Sequence, residues 1–254
     1  MYSIRAKVLR KLPSACPLCG LSARGGDLCA GCMQDFVGCV RSQPRCDVCL
    51  DPLRVSTVHT QRLPEAHCAR CREVAPPYFR LIAAIDYAYP GDLLIQRFKE
   101  GGHLAYAGLF ARLIWGAWQT CERARLHTPS LGALVPIPAS QQALGRRGFN
   151  PAGELARELA GLSGCALKRE WLTRTRESTH QKTLDLAGRR QSVQGLYACK
   201  YVLPGIWVGL VDDVVTTGST MRTAALALRH AGAAGVVALA AAHTPRAWQN
   251  GAYD

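Results

Sequence analysis

The residues best suited to chemistry lie in one short stretch, Leu210-Val211-Asp212-Asp213-Val214-Val215-Thr216-Thr217-Gly218-Ser219-Thr220. Two adjacent carboxylates are followed by small hydroxylated residues around a glycine. Successive backbone N–H groups in such a turn converge on an anion where a helix begins. Carboxylates beside that anion would repel it unless they met its hydroxyls or an accompanying magnesium ion, and a sugar phosphate satisfies both conditions. Asp212 and Asp213 are therefore candidates for the sugar, and Thr216, Thr217, Gly218, Ser219 and Thr220 for the phosphate. A plainer reading is a strand-to-helix turn with Thr217 or Ser219 as a simple N-cap.

The flanking segments must position these groups. Ile206 to Val211 is apolar and β-branched, as a strand covered on both faces of a parallel sheet should be. Met221 to Ala231 reads as a helix ending at Gly232. Upstream, Arg80 to Tyr89 predicts a strand, a helix starts near Asp92, and a second spans about His103 to Arg125 with Leu104, Leu109, Leu113, Ile114 and Trp118 on its core side. Lys99, just before Gly101-Gly102, is placed to reach a phosphate, although a helix-end lysine also complements the dipole. Ala133 to Pro138 predicts the next strand, and Asn150-Pro151 starts a helix to about Leu162. Ala139 to Phe149 between them reads as a loop at a strand's carboxyl end, where open α/β sheets bind ligands, and its Arg146 and Arg147 suit a diphosphate. Arg169 to Gln181 is polar and basic and reads as a mobile loop over the same edge.

Eight of the twelve cysteines form four C-x₂-C doublets: Cys16/Cys19, Cys29/Cys32, Cys46/Cys49 and Cys68/Cys71. Four doublets supply two tetrahedral four-thiolate sites, for which zinc is the fitting ion. Sequential pairing is the simpler arrangement, and spacing alone also permits a crossed one. With few large apolar residues before Pro76, this segment needs metal in place of a core. Residues 1–77 are thus expected to form a zinc module and 78–254 a second domain. Cys121, Cys165 and Cys199 read as small buried hydrophobes, and the unpaired Cys39 admits a redox-responsive role. Arg24, Arg41, Arg45, Arg54, Arg62, Arg70 and Arg72 punctuate the module and suit either solvent or nucleic acid.

The 254 residues have the apolar and charged fractions of an ordinary globular protein, which excludes a disordered chain. The formal net charge of +13 falls once eight cysteines bind zinc as thiolates, yet the chain stays basic, fitting phosphorylated or polyanionic partners. No apolar run approaches the roughly 20 residues that cross a bilayer, so a cytoplasmic protein with no membrane insertion and no cleaved signal is expected.

The acid-and-loop stretch resembles the type I phosphoribosyltransferase signature. With the four doublets, Pro76-Pro77, Phe98-Lys99, Val135-Pro136-Ile137-Pro138, Arg147-Gly148-Phe149-Asn150 and Thr175 to Gln181 with Leu184 and Arg189, the whole is similar to the competence protein F (ComF/GntX-like) family. That resemblance implies an α/β fold, with a type I phosphoribosyltransferase-like parallel sheet flanked by helices and an N-terminal double zinc ribbon. It further implies binding of 5-phosphoribosyl 1-diphosphate or a nucleotide with Mg²⁺ and transfer of the phosphoribosyl group to a nitrogen base. Asp212 and Asp213 would then hold the ribose hydroxyls, and Arg146, Arg147 and Lys99 the diphosphate. The chain departs from the family pattern at Ser140, Ala143, Gly145, Pro151, His180 and Ser192, leaving fewer cations near a leaving diphosphate. Thr216 occupies the position where some purine-using relatives carry an acid, and a threonine is no general base near neutral pH, which leaves His180, an acceptor that ionises unaided, or no transfer at all. The rival expectation is a non-catalytic sensor or module that binds single-stranded DNA and works with competence-machinery proteins. In either case the zinc module stands, in chain order, where this fold places the hood that selects the base.

Overall fold

The computed structural model describes residues 11–38, 44–53, 66–100, 104–123, 129–175 and 195–246. Two short ribbons open it. Strands β1 (Pro13–Ala15) and β2 (Ser22–Arg24) pair antiparallel, and one helical turn, α1 (Ala30–Cys32), runs into a wider π-helical turn at Met33–Gly38. Among the described residues the second ribbon has one antiparallel bridge, Arg45 to Pro52, and the short helix α2 (Ala69–Glu73) follows.

The rest is built on a five-stranded parallel sheet. In chain order it comprises β3 (Leu81–Asp86), α3 (Gly91–Glu100), α4 (Ala105–Arg123), β4 (Ala133–Pro136), α5 (Gln141–Arg147), α6 (Pro151–Ser163) and β5 (Ala166–Leu167). The two-stranded ribbon β6 (Thr173–Arg174) and β7 (Tyr197–Ala198) follows, then β8 (Trp207–Val215), α7 (Ser219–His230) and β9 (Gly235–His243). The sheet order is β3-β9-β8-β4-β5, every neighbouring pair parallel. The expected α/β class, with helices flanking a parallel sheet and a cysteine-rich N-terminal region, is what the chain forms.

Helices α3, α4 and α6 pack one face, joining Phe98, Phe110, Ile114 and Leu155 to Leu134, Val211 and Leu239. Helix α7 packs the other, with Met221, Ala224, Ala225 and Leu228 against Val208, Leu210, Val236 and Ala238. The connection leaving β4 therefore runs over one face and the one leaving β8 over the opposite face. That makes the β4/β8 boundary the switch point, where a crevice opens beyond the carboxyl ends of the strands.

Three segments differ from the sequence expectation. β8 continues through both acids to Val215, because β9 pairs with it as far as Val215 and His243. β9 itself, buried at all nine positions, is an element to which the sequence reading assigned nothing. Residues 141–147, expected as loop, form α5: the Ser140 hydroxyl accepts from the Ala143 N–H at 3.1 Å, and Gly148 closes the helix in the left-handed conformation at φ 77°. The base of the expected 169–181 loop is anchored by the β6–β7 pair and by buried Leu172 and Leu196, while Thr179, His180, Gln181, Leu184, Arg189 and Ser192 lie outside the described residues, as does Cys39.

Strand packing leaves little room beside Trp207, whose ring stands edge-on to Phe79 with centroids 5.7 Å apart. A β-carbon on its strand partner Gly235 would collide with that ring. Gly235→Ala is accordingly expected to cost about 1–3 kcal/mol, as overpacking does. A thermal melt should show a lower Tm, partly restored by adding Trp207→Leu; an unchanged Tm would mean that the ring moves freely.

Candidate functional site

The acid pair sits where β8 leaves the sheet. Asp212 Oδ1 accepts from the Asp213 N–H at 2.9 Å, and Asp213 Oδ1 accepts from the Val214 N–H at 2.7 Å. Burial, reinforced by the neighbouring Asp213 carboxylate, holds the Asp212 carboxyl well above the usual range. Lys99 in the last turn of α3 places Nζ 3.1 Å from Asp213 Oδ2, so the expected cation and one expected acid do meet.

The turn beyond β8 has Gly218 at φ 75°, a left-handed conformation that a side chain would strain, and Gly218 is also the N-cap of α7. As a glycine, Gly218 brings no side-chain cap to this helix. The first helical hydrogen bond runs from the Arg222 N–H to Gly218 O at 2.9 Å, and the N–H groups ahead of it have no acceptor within the helix. Thr217 and Ser219 share a hydroxyl contact of 3.1 Å, and the Ser219 N–H reaches the Thr217 hydroxyl only at 3.4 Å. The simple N-cap is therefore not what the chain builds. Asp212 and all of Thr216, Thr217, Gly218, Ser219 and Thr220 line one concavity, whose lining does not include Asp213.

Arg146 and Arg147 occupy the last turn of α5, beyond the carboxyl end of β4. Arg146 is exposed and Arg147 half-buried, and neither forms an ion pair among the described residues. They share the sheet edge with the acid pair but do not touch it. Asn150 ties this segment down by donating to Ile137 O at 3.0 Å.

The cysteines gather sequentially. Cys16, Cys19, Cys29 and Cys32 form one group and Cys46, Cys49, Cys68 and Cys71 the other, with all four sulfurs of each within 4.8 Å of one another. Cys19 and Cys29 sulfurs are 3.6 Å apart, as are those of Cys49 and Cys68. A tetrahedron with Zn–S bonds of ~2.3 Å has edges of about 3.8 Å, so both groups could hold zinc. The Cys49 thiol and nearby backbone N–H groups directed at its sulfur push Cys46 down to about 4. The magnesium expectation has no such cluster of its own among the described residues.

Several contacts that join the second cysteine group to the sheet escaped the sequence reading. Arg45 makes a two-pronged pair with Asp86 at the end of β3, at 2.9 and 2.6 Å, with both side chains more than nine-tenths buried. Asp51 faces His243 at 3.8 Å and Arg246 at 3.4 Å. Burial pushes His243 below its ordinary value, and its Nδ1 is buried without a hydrogen-bond partner. Leu81 N–H donates to Val48 O at 2.8 Å. Tyr78, buried between these parts, has its hydroxyl 3.9 Å from where a β-carbon on Gly218 would stand. Each of these pairs spans a long stretch of chain, and no local pattern announces them. Of the seven arginines singled out in the ribbons, Arg24, Arg70 and Arg72 are exposed, Arg45 is occupied by Asp86, and Arg41, Arg54 and Arg62 lie outside the described residues. The described residues include no helix long and apolar enough to cross a membrane.

No protein-family model matches the chain. Among curated proteins it is similar to the DNA utilization protein YhgH of Salmonella typhimurium, 33% identical over 198 residues that cover 75% of this chain and 86% of that protein. It is also similar to competence protein F of Haemophilus influenzae, 29% identical over 209 residues, covering 81% and 85% respectively. Among solved structures, one described as the allosteric regulatory enzyme of purine biosynthesis matches 46% of this chain and 23% of its own, with 22% identity and a TM-score of 0.30.

Proposed function

We propose, from the premise that this chain belongs to the competence protein F family, that it binds 5-phosphoribosyl 1-diphosphate or a related nucleotide at the carboxyl edge of the β4/β8 boundary. The observation that carries this reading is the concavity that Asp212, at the end of the acid-bearing strand, shares with the start of α7 at Gly218. The loop from Thr216 to Thr220 takes the 5-phosphate, whose charge complements the first-turn N–H groups. Asp212 and Asp213 accept from the ribose hydroxyls. Lys99, held on Asp213 at 3.1 Å, is within reach of the diphosphate, with Arg146 and Arg147 on the same edge. A magnesium ion carried in by the diphosphate would neutralise charge beside the acids, and Asp212, protonated more readily than an ordinary carboxyl, would ionise as the cation arrives.

Phosphoribosyl transfer is the reaction this arrangement serves if an acceptor base follows. Diphosphate would leave C1 as the acceptor nitrogen bonds to it, and because Thr216 supplies no general base, that nitrogen must lose its proton unaided or pass it to a residue outside the described part of the chain. The second cysteine group, pinned to the ends of β3 and β9, is placed to act as the hood, and residues 1–77 form that accessory module on the domain of residues 78–254. Zinc at both groups is structural.

Thermal-shift titration tests the reading. At 100 times the dissociation constant a ligand of the folded state adds about 2.7 kcal/mol, which for a chain this size raises Tm by roughly 5–10 °C. 5-Phosphoribosyl 1-diphosphate should produce such a rise, larger with Mg²⁺ than without. No rise at millimolar ligand under either condition overturns it. A second reading follows from the names of the relatives, which concern DNA utilization and competence. Exposed Arg24, Arg70 and Arg72 on a basic chain suit a single-stranded DNA backbone. Oligonucleotide binding that falls steeply with salt and survives Asp212→Asn with Asp213→Asn would establish it; binding lost with the acid pair would not.

A further inference from the structure

We infer that Asp51 is a positioning residue for the phosphate loop: from the second cysteine group it holds the chain that leaves β9, and that chain fixes the entry to Thr216 to Thr220. This rests on the sugar-phosphate reading above and adds to it a determinant that lies outside the concavity. Asp51 is itself locked to the cysteine group. Its carbonyl accepts from the Cys46 N–H at 2.9 Å, and the Cys49 sulfur lies 3.6 Å from its Oδ2. The carboxylate, only 13% exposed, faces the end of β9. Oδ1 accepts from the Arg246 N–H at 3.2 Å, Oδ2 lies 3.4 Å from Arg246 Nε, and Oδ1 lies 3.8 Å from His243 Nε2. His243 is buried and its Nδ1 has no hydrogen-bond partner, so the polar tie of the ring is on the Asp51 side.

Between the two residues that Asp51 holds stands Thr244, whose N–H donates to Val215 O at 2.9 Å. Val215 is the last residue of β8 and lines the concavity. Its carbonyl and the Thr216 N–H belong to one planar peptide unit, so a bond to the first fixes the direction of the second. The β8–β9 register ends at Val215 and His243, and the ends of elements open most readily unless something outside ties them. Asp51 supplies that tie from 195 positions earlier in the chain. The Arg45–Asp86 pair anchors the same ribbon at β3, one strand further from the loop.

Two substitutions separate positioning from bulk stability. Asp51→Ala removes the acceptor for the Arg246 N–H. Affinity for ribose 5-phosphate, measured by calorimetry well below the Tm, should then fall roughly 3- to 30-fold, the span of coupling changes transmitted through neighbouring residues. Asp51→Asn keeps an oxygen that accepts from that N–H and loses only the charge opposite the partly exposed Arg246, so it should bind within about twofold of the wild type. In the free protein, amide hydrogens of residues 216–220 should exchange faster in Asp51→Ala and at the wild-type rate in Asp51→Asn. Full affinity in Asp51→Ala, whatever its Tm, overturns the inference and leaves the sugar-phosphate reading intact. Unchanged exchange in that variant, or equal affinity losses in the two variants, also overturns it. Should Asp51→Ala lose zinc, Arg246→Pro removes the same N–H from the other partner, where a helical turn opens and proline is tolerated. It should repeat the affinity loss, and full affinity there overturns the inference. Failure of the wild-type protein to bind ribose 5-phosphate overturns both readings.

Discussion

Cys71→Ser is expected to lower the bound zinc from two equivalents to one, to reduce Tm by more than about 10 °C, and to abolish the thermal shift given by 5-phosphoribosyl 1-diphosphate. Structural zinc contributes apparent free energies of about 10–16 kcal/mol in small isolated fingers, where metal replaces a core. Here part of the second ribbon's stability comes from the sheet, so the loss is smaller than that ceiling. It is still large, because the ribbon's residues are also partners of buried charges. Releasing Arg45 would leave Asp86 nearly buried and alone, and breaking such a pair costs about 3–5 kcal/mol. Val48 and Leu50 would leave the apolar cluster that contains Tyr78 and Val215. Metal analysis, a thermal melt and a ligand titration on the same sample check the three parts separately. Two retained zinc equivalents, or an unchanged Tm, would remove zinc from the architecture of this ribbon.

Asp212→Asn combined with Asp213→Asn is expected to weaken 5-phosphoribosyl 1-diphosphate binding by more than roughly 100-fold, since each change removes a charged acceptor for a ribose hydroxyl. Asp212→Asn alone should, in the free protein, do the reverse to stability. Burial and the Asp213 charge raise the Asp212 carboxyl well above the unfolded value, so the folded chain holds its proton more tightly than the unfolded chain does. Stability consequently falls as pH rises from about 4, the unfolded range, and the loss is complete once pH passes the folded value. Asparagine escapes that loss. Its Tm should match the wild type near pH 4 and exceed it by a few degrees at pH 8, the size of effect that about 1 kcal/mol has in a chain this long. Calorimetry across that pH range checks the sign; a Tm at pH 8 below the wild type would show that the carboxylate stabilises the empty site.

What the sequence made legible was local. The four C-x₂-C doublets announced the cysteine groups, and the sequential pairing that the chain adopts was the simpler of the two arrangements left open. The acids and the glycine turn were visible because strand end, carboxylates and helix start follow one another without interruption. Lys99 was visible as a candidate, but its meeting with Asp213 depends on α3 packing across the sheet end, which periodicity does not convey. The strand's true end was hidden because carboxylates rarely continue a buried strand; pairing with β9 overrides their preference. Helix α5 was hidden by its brevity and an internal glycine, although Ser140 and Gly148 stand where a cap and a stop belong. Arg45 with Asp86 and Asp51 with His243 join residues far apart in the chain and have no local signature.

The bond from Leu81 to Val48 lies on the outer side of β3, the end strand of the sheet, whose inner side is taken by β9. The ribbon thus occupies the Leu81 amide on an edge that would otherwise be open to a passing chain. Stripping the metal would uncover that margin, and the outcome in concentrated solution would be intermolecular strand addition and precipitation before orderly unfolding could be observed. Purification in chelating buffers would then yield insoluble protein whatever the state of the phosphate loop, whereas refolding with zinc present from the start would preserve the soluble form.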